Sequence, residues 1–169
     1  ADRGGAGAEG GGMIRILALV LGGLVLAAVF GVAYVRSVEG DPERWHVDPR
    51  NAERSGRPNE FLVVPAEDGG GDMASPVFDM SAETLAERVG DVIATEPRAH
   101  RLAGDLSDGF VTYVVRSRWV GFPDYVSILI QPVGEERSTI AIWSRARFGY
   151  SDWGVNEARV RRWLEALQS

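Results

Sequence analysis

The stretch "RFGYSDWGVN", Arg147 to Asn156, sets an arginine, a serine, an aspartate, an asparagine and three aromatic side chains around two glycines. Residues of these types can do acyl-transfer chemistry. A serine nucleophile needs a base in hydrogen-bond contact, and the base needs a carboxylate to orient it. The available set is Ser117, Ser144 or Ser151, with His100 as base and Asp124 or Asp152 behind it. No Gly-x-Ser-x-Gly turn accompanies any of these serines, and the chain has only two histidines, so no catalytic residue is assigned. A metal centre would start from His46 and Asp48, but a site needs three or four ligands and no such spacing follows. Phosphate binding would use the glycines of "EDGGGD", Glu67 to Asp72, yet their acidic flanks repel phosphate. The residues therefore call for no metal and no cofactor.

A structural reading uses more of the motif. Arg147 and Asp152 can pair across a tight reversal, and Gly149 and Gly154 suit positive φ or close backbone approach. Asn156 is placed to cap a following helix, with Ser151 or Asp152 serving other free amides. Tyr150 and Trp153 either pack that helix onto a sheet or protrude. Arg116, Arg118, Arg145 and Arg147 come from neighbouring strands and can make one basic face. Arg118, Arg145, Tyr150 and Trp153 are the expected partner-binding residues of that surface, because Arg and aromatic residues dominate interfaces.

The elements that must position these residues follow from the rest of the chain. Its 169 residues hold one ordinary domain plus an appendage. A net charge of −6 argues against nucleic acid, and the absence of cysteine excludes disulfides and thiolate chemistry. From Ile16 to Val35 no charge interrupts the sequence, long enough to cross a hydrocarbon core of about 30 Å. Arg15 and Arg36 bracket the run and Tyr34 sits at its edge, so residues 13–36 are expected to form a transmembrane helix rather than a cleaved signal peptide ending near Ala33. Gly23, Ala27 and Gly31 recur every fourth residue and offer a face for the helix of another subunit. The Gly-rich residues 1–12 read as a disordered tail. Arginine counts on the two sides do not decide orientation; a short tail left in the cytoplasm puts the C-terminal domain outside, in the periplasm of a bacterial inner membrane.

Residues 37–58 are polar and turn-rich and read as a linker. The domain then spans 59–169. "EFLVVP" is a strand, Ser81 caps a helix that Pro97 closes, and four β-like runs follow at His100–Asp105, Phe110–Trp119, Tyr125–Pro132 and Ser138–Arg145. Short turns between them force an antiparallel meander. A last helix, about Asn156–Leu167, carries Val160, Trp163, Leu164 and Leu167 as its apolar stripe, with Arg159 assigned to the polar side. The fold class is α+β: an antiparallel meander with two helices, behind one membrane helix.

"WSRARFGYSDWGVNEARVRRWLEAL" resembles the C-terminal signature of the bacterial domain-of-unknown-function family 1499 (DUF1499). Arg147, Gly149, Tyr150, Ser151, Asp152, Gly154, Val155 and Asn156 match its run. Ser117, Arg118, Phe122, Asp124 and Val126 are similar to its upstream strand pair. The resemblance covers roughly residues 58–167. The family's opening Cys-Pro-x-Ser-Pro-Asn-Cys segment is replaced by "GRPNEF", and its paired aspartates and following glutamate by Asp124, Tyr125 and Ser127. The resemblance implies a fold and no particular activity. Taken together these features imply a non-catalytic accessory or assembly subunit of a larger membrane complex, respiratory or photosynthetic, in contact with lipid. The alternatives are a tethered small-ligand or lipid-binding domain, and a hydrolase.

Overall fold

A computed structural model describes residues 6–169, with side chains from residue 12. It divides into two compact units, residues 1–38 and 39–169. In the first, helix α1 spans Ala6–Ser37, so it begins ahead of the expected start at Met13. Once the apolar run has nucleated a helix, each further residue gains a hydrogen bond at little cost, which carries the helix backwards. Of the expected tail, residues 1–5 lie outside the described residues. Gly12–Ser37 is long and apolar enough to cross a membrane by length and composition. Gly23, Ala27 and Gly31 are exposed on it, and nothing approaches the positions where side chains at Gly23 and Gly31 would lie.

The second unit is mixed α+β. Strands β1 (Glu60–Val64), β2 (Met73–Ala74), β3 (Val77–Phe78), β4 (Ala99–Asp105), β5 (Phe110–Arg116), β6 (Pro123–Pro132) and β7 (Ser138–Ala146) form one sheet in the order β2-β1-β7-β6-β5-β4, with β3 also on β7. All pairings are antiparallel except β1 with β2. The meander β4 to β7 is as expected; β2 and β3 are too short to carry a periodic signal. At the outer strand β4 the register shifts between Arg101 and Ala103.

Period-two alternation gives the sheet two faces. Val111 and Val115 of β5, Val126, Ile128 and Ile130 of β6, and Ile140 and Ile142 of β7 lie under helices α3 (Ala82–Ala94) and α4 (Val155–Gln168). Ser81 caps α3 by accepting from the Thr84 amide. From α3 come Leu85, Val89 and Ile93, and from α4 Val160, Trp163, Leu164 and Leu167, all buried.

The opposite face is where the expected linker proves to be part of the domain. Helix α2 (Pro42–Trp45) and a 3-10 turn (Pro49–Asn51) lie against it. Trp45 stacks on Tyr125 at 3.9 Å between ring centroids, and His46 stacks on Phe110 at the same distance. Val47 and Ala52 pack on Leu62, Val64, Ala141 and Trp143. Polar composition hid this, because one tryptophan and a few small apolar residues do the covering. His46 Nδ1 is 2.9 Å from the Thr112 hydroxyl, and Asp48 accepts from the Arg50 amide, so the His-x-Asp pair serves packing and a turn.

Candidate functional site

The loop from Arg147 to Gly154 joins β7 to α4 and bends through three left-handed residues: Gly149 (φ 91°), Trp153 (φ 59°) and Gly154 (φ 79°). Glycine takes this conformation freely, whereas for tryptophan it is strained. The strain is opposed by local bonds. Asp152 accepts from the amides of Gly154 and Asn156, and Ser151 Oγ accepts from the Trp153 amide. Asp152 therefore satisfies the free amides at the start of α4. Asn156, expected as the cap, sits inside the helix and is fully buried.

Arg147 does not pair with Asp152. Its Nη1 donates to the Glu39 carbonyl at 3.1 Å and to the Tyr125 hydroxyl at 3.2 Å, so it fixes the start of the domain to β6. The loop is held instead by Pro58 and Asn59. Asn59 Nδ2 donates to the Gly149 carbonyl, Asp152 N donates to the Pro58 carbonyl, and Asn156 Nδ2 donates to the Asn59 carbonyl.

Beneath the loop lies a buried polar cluster. Arg159 Nη2 donates to Asp124 Oδ2 at 2.7 Å, and its Nη1 donates to Ser144 Oγ and Asn156 Oδ1. Arg159 is 6% exposed and Asp124 8%. Burial pushes the Asp124 carboxyl above its ordinary value, against the opposing pull of Arg159. Helical spacing holds the clue to this cluster. Asn156, Arg159 and Trp163 stand three and four residues apart, so Arg159 belongs to the buried stripe rather than the polar side. Asp124 matches the charge of Arg159, and Ser144 and Asn156 accept from its second nitrogen, which offsets the cost of burying it.

Around this lock the expected partner-binding residues separate. Tyr150 (71% exposed) and Trp153 (94%) protrude from the loop. Arg118 is exposed with its guanidinium over Trp119, itself exposed, and Phe122 of the same β5–β6 turn contacts the Phe148 ring. The two loops thus form one aromatic rim at one end of the sheet. Arg145 is different: it is 7% exposed on the opposite face, sandwiched between Trp45 and Trp143, with Nη2 donating to the Trp45 carbonyl at 2.8 Å. Burial lowers its pKa to about 10. It lies on the sheet face covered by α2, away from the protruding aromatics, because side chains alternate along β7.

The hydrolase set is not brought together. His100 is exposed on the outer strand β4. Ser117 Oγ accepts from the Gly121 and Phe122 amides, Ser144 belongs to the Arg159 cluster, and Ser151 serves the Trp153 amide. No group of three or more His, Asp or Glu side chains suited to a metal occurs among the described residues. A chain of hydroxyls that composition did not reveal runs from His46 to Thr112, Ser127 and the Trp45 carbonyl.

Several open clefts border the domain, three of them formed by described residues. One of about 590 Å³ lies beside α3, between Ala86, Gly90, Leu106 and Ile130. Another of about 720 Å³ is walled by the Ser151–Gly154 loop and the ion pairs Arg54–Asp72 and Arg161–Glu157. The third, about 260 Å³, is lined by Trp45, Trp143 and several arginines.

Comparison with known proteins adds the following. A family model described as "Protein of unknown function (DUF1499)" matches residues 51–167. No curated protein matches the chain. Among solved structures, the di-domain ARO/CYC BexL from the BE-7585A biosynthetic pathway is similar at a TM-score of 0.45 and 13% identity. The match covers 64% of this chain and 44% of that one, so this chain spans less than half of that protein's length.

Proposed function

The chain belongs to the DUF1499 family, and from that premise we propose that it is a non-catalytic accessory subunit of a larger membrane complex. In this reading α1 is the anchor, in a bacterial inner membrane, and the α+β domain is periplasmic. The observation that carries it is the aromatic rim. Tyr150, Trp153, Trp119 and Phe122 stand exposed on a loop pair that is rigidly tied. Arg147, which opens one of these loops, holds Glu39, where the chain enters the domain. Large aromatics left exposed on a stiff loop suit a protein contact, since they bury much area and lose little entropy on docking. Gly23, Ala27 and Gly31 supply a second contact, for a partner's membrane helix.

The test is mild detergent extraction followed by native pull-down on the full chain. Co-purifying subunits are expected, with Trp153→Ala and Tyr150→Ala reducing their recovery at unchanged protein level. A chain that migrates alone ends the proposal. The cleft beside α3 favours a second reading, a tethered domain for an apolar ligand or lipid, because its walls are mainly apolar. Mass spectrometry of molecules extracted from the purified protein separates the two.

A further inference from the structure

The cleft of about 260 Å³ on the α2-covered face draws in a concentration of positive charge. Arg44, Arg57, Arg145 and Arg147 line it, with Glu53 and Glu60 as the acidic members. Among the described residues none of these four arginines forms an ion pair, although six others do. Glu60 is already engaged: one oxygen accepts from Ser55 and the other from the Trp143 indole.

Two buried donors on the same lining have no acceptor, Arg145 Nη1 and Trp45 Nε1. They are the two such side-chain atoms found among the described residues. An unsatisfied buried donor is costly, and more so on a charged group, so a pair of them beside one cleft points to an acceptor supplied from outside. The lowered pKa of Arg145 agrees, since burial there outweighs the pull of the Glu60 carboxylate. Four guanidiniums against two carboxylates leave a surplus of two positive charges (4 − 2). A carboxylate would neutralise one of them. A phosphate monoester, at about −1.5 to −2 near neutral pH, matches both.

We infer that the cleft bounded by Trp45, Arg57, Arg145 and Arg147 is a binding site for a phosphate monoester group. Arg145, held flat between two indoles, is the pre-organised base of the site. Arg44 and Arg57 are exposed at its mouth and close on the ligand. The phosphate belongs either to a lipid headgroup or to a soluble ester. The site is independent of the accessory-subunit reading.

The experiment uses the full chain in phosphatidylcholine nanodiscs and follows thermal unfolding with inorganic phosphate, glycerol 3-phosphate, acetate or chloride at matched ionic strength. Both phosphates are expected to raise Tm by roughly 3–6 °C at about a tenfold excess over their Kd. Acetate and chloride are expected to give no rise. Arg57→Gln changes no member of the buried stack and should weaken phosphate affinity roughly tenfold, the loss of about one charged hydrogen bond. The Arg44→Gln, Arg57→Gln double variant, which also lifts a guanidinium from the outer side of Trp45, should weaken it further. Arg145→Gln should abolish it; should that variant fail to fold, the mouth variants decide. Nanodiscs containing phosphatidic acid identify the source. Loss of the response to added phosphate there means that a lipid headgroup fills the site, and an unchanged response means a soluble ester. A phosphate effect equalled by acetate, retained in full by the double variant, or absent with both phosphates and both lipids overturns the inference.

Discussion

Arg159 and Asp124 meet in the interior, and Ser144 and Asn156 accept from the second guanidinium nitrogen, so the cluster stands or falls as a unit. Arg159→Ala leaves a carboxylate buried without a cation and should cost about 3–5 kcal/mol by denaturant unfolding. Replacing Arg159 and Asp124 together by apolar residues of similar volume should cost far less, because no stranded charge remains. His46 gives a pH dependence. Burial lowers its pKa below the ordinary histidine value. Its contribution is therefore present above the unfolded pKa and lost as pH falls through the folded one. Stability should drop as pH falls below the ordinary histidine value of about 6.5, and His46→Gln, which keeps a partner for Thr112, should flatten that slope in paired denaturation curves. Smaller flattening than the scatter between repeats would show that other groups govern the acid side.

Among the elements, those with a local signal are legible in the sequence: α3 by its Ser81 cap and apolar stripe, β5 to β7 as β-like runs separated by turn residues, α4 by Val160, Trp163 and Leu167. What was not legible depended on tertiary pairing. Residues 39–55 have the composition of a linker, yet Trp45 is buried because Tyr125, 80 residues further along the chain (125 − 45), presents a flat ring to it. Arg145 looked like a surface charge for the same reason, its cover being contributed by a segment remote in sequence. The signature loop joins β7 to the capped start of α4, though not through the bonds that residue types suggest. The particular bonds differ, Asp152 taking the capping task and Arg147 reaching to Glu39. Trp45→Ala should test the covering segment. It removes the stack on Tyr125 and one wall of Arg145, and a loss of about 3–5 kcal/mol is expected. A change under about 1 kcal/mol, as for a surface substitution, would mean that the segment adds little to the folded domain.

At the scale of the whole molecule, a sheet covered by helices on one face and by the 39–55 segment on the other leaves its recognition surfaces at the loops and clefts. The acidic net charge coexists with a local arginine surplus, so the average says little about what any one surface attracts. The outer strand β4 carries a further implication. Its backbone is open along one side, as at any sheet margin, but the register shift between Arg101 and Ala103 breaks the regular ladder, and Arg101 and Asp105 pair beside it. A flat margin would template fibril growth by strand addition. The kink and the charges oppose that. Arg101→Val should make the purified domain self-associate on gentle heating, measured by light scattering, while its unfolding midpoint barely moves; in that sense the crooked edge is a safeguard against polymerisation, independent of any partner.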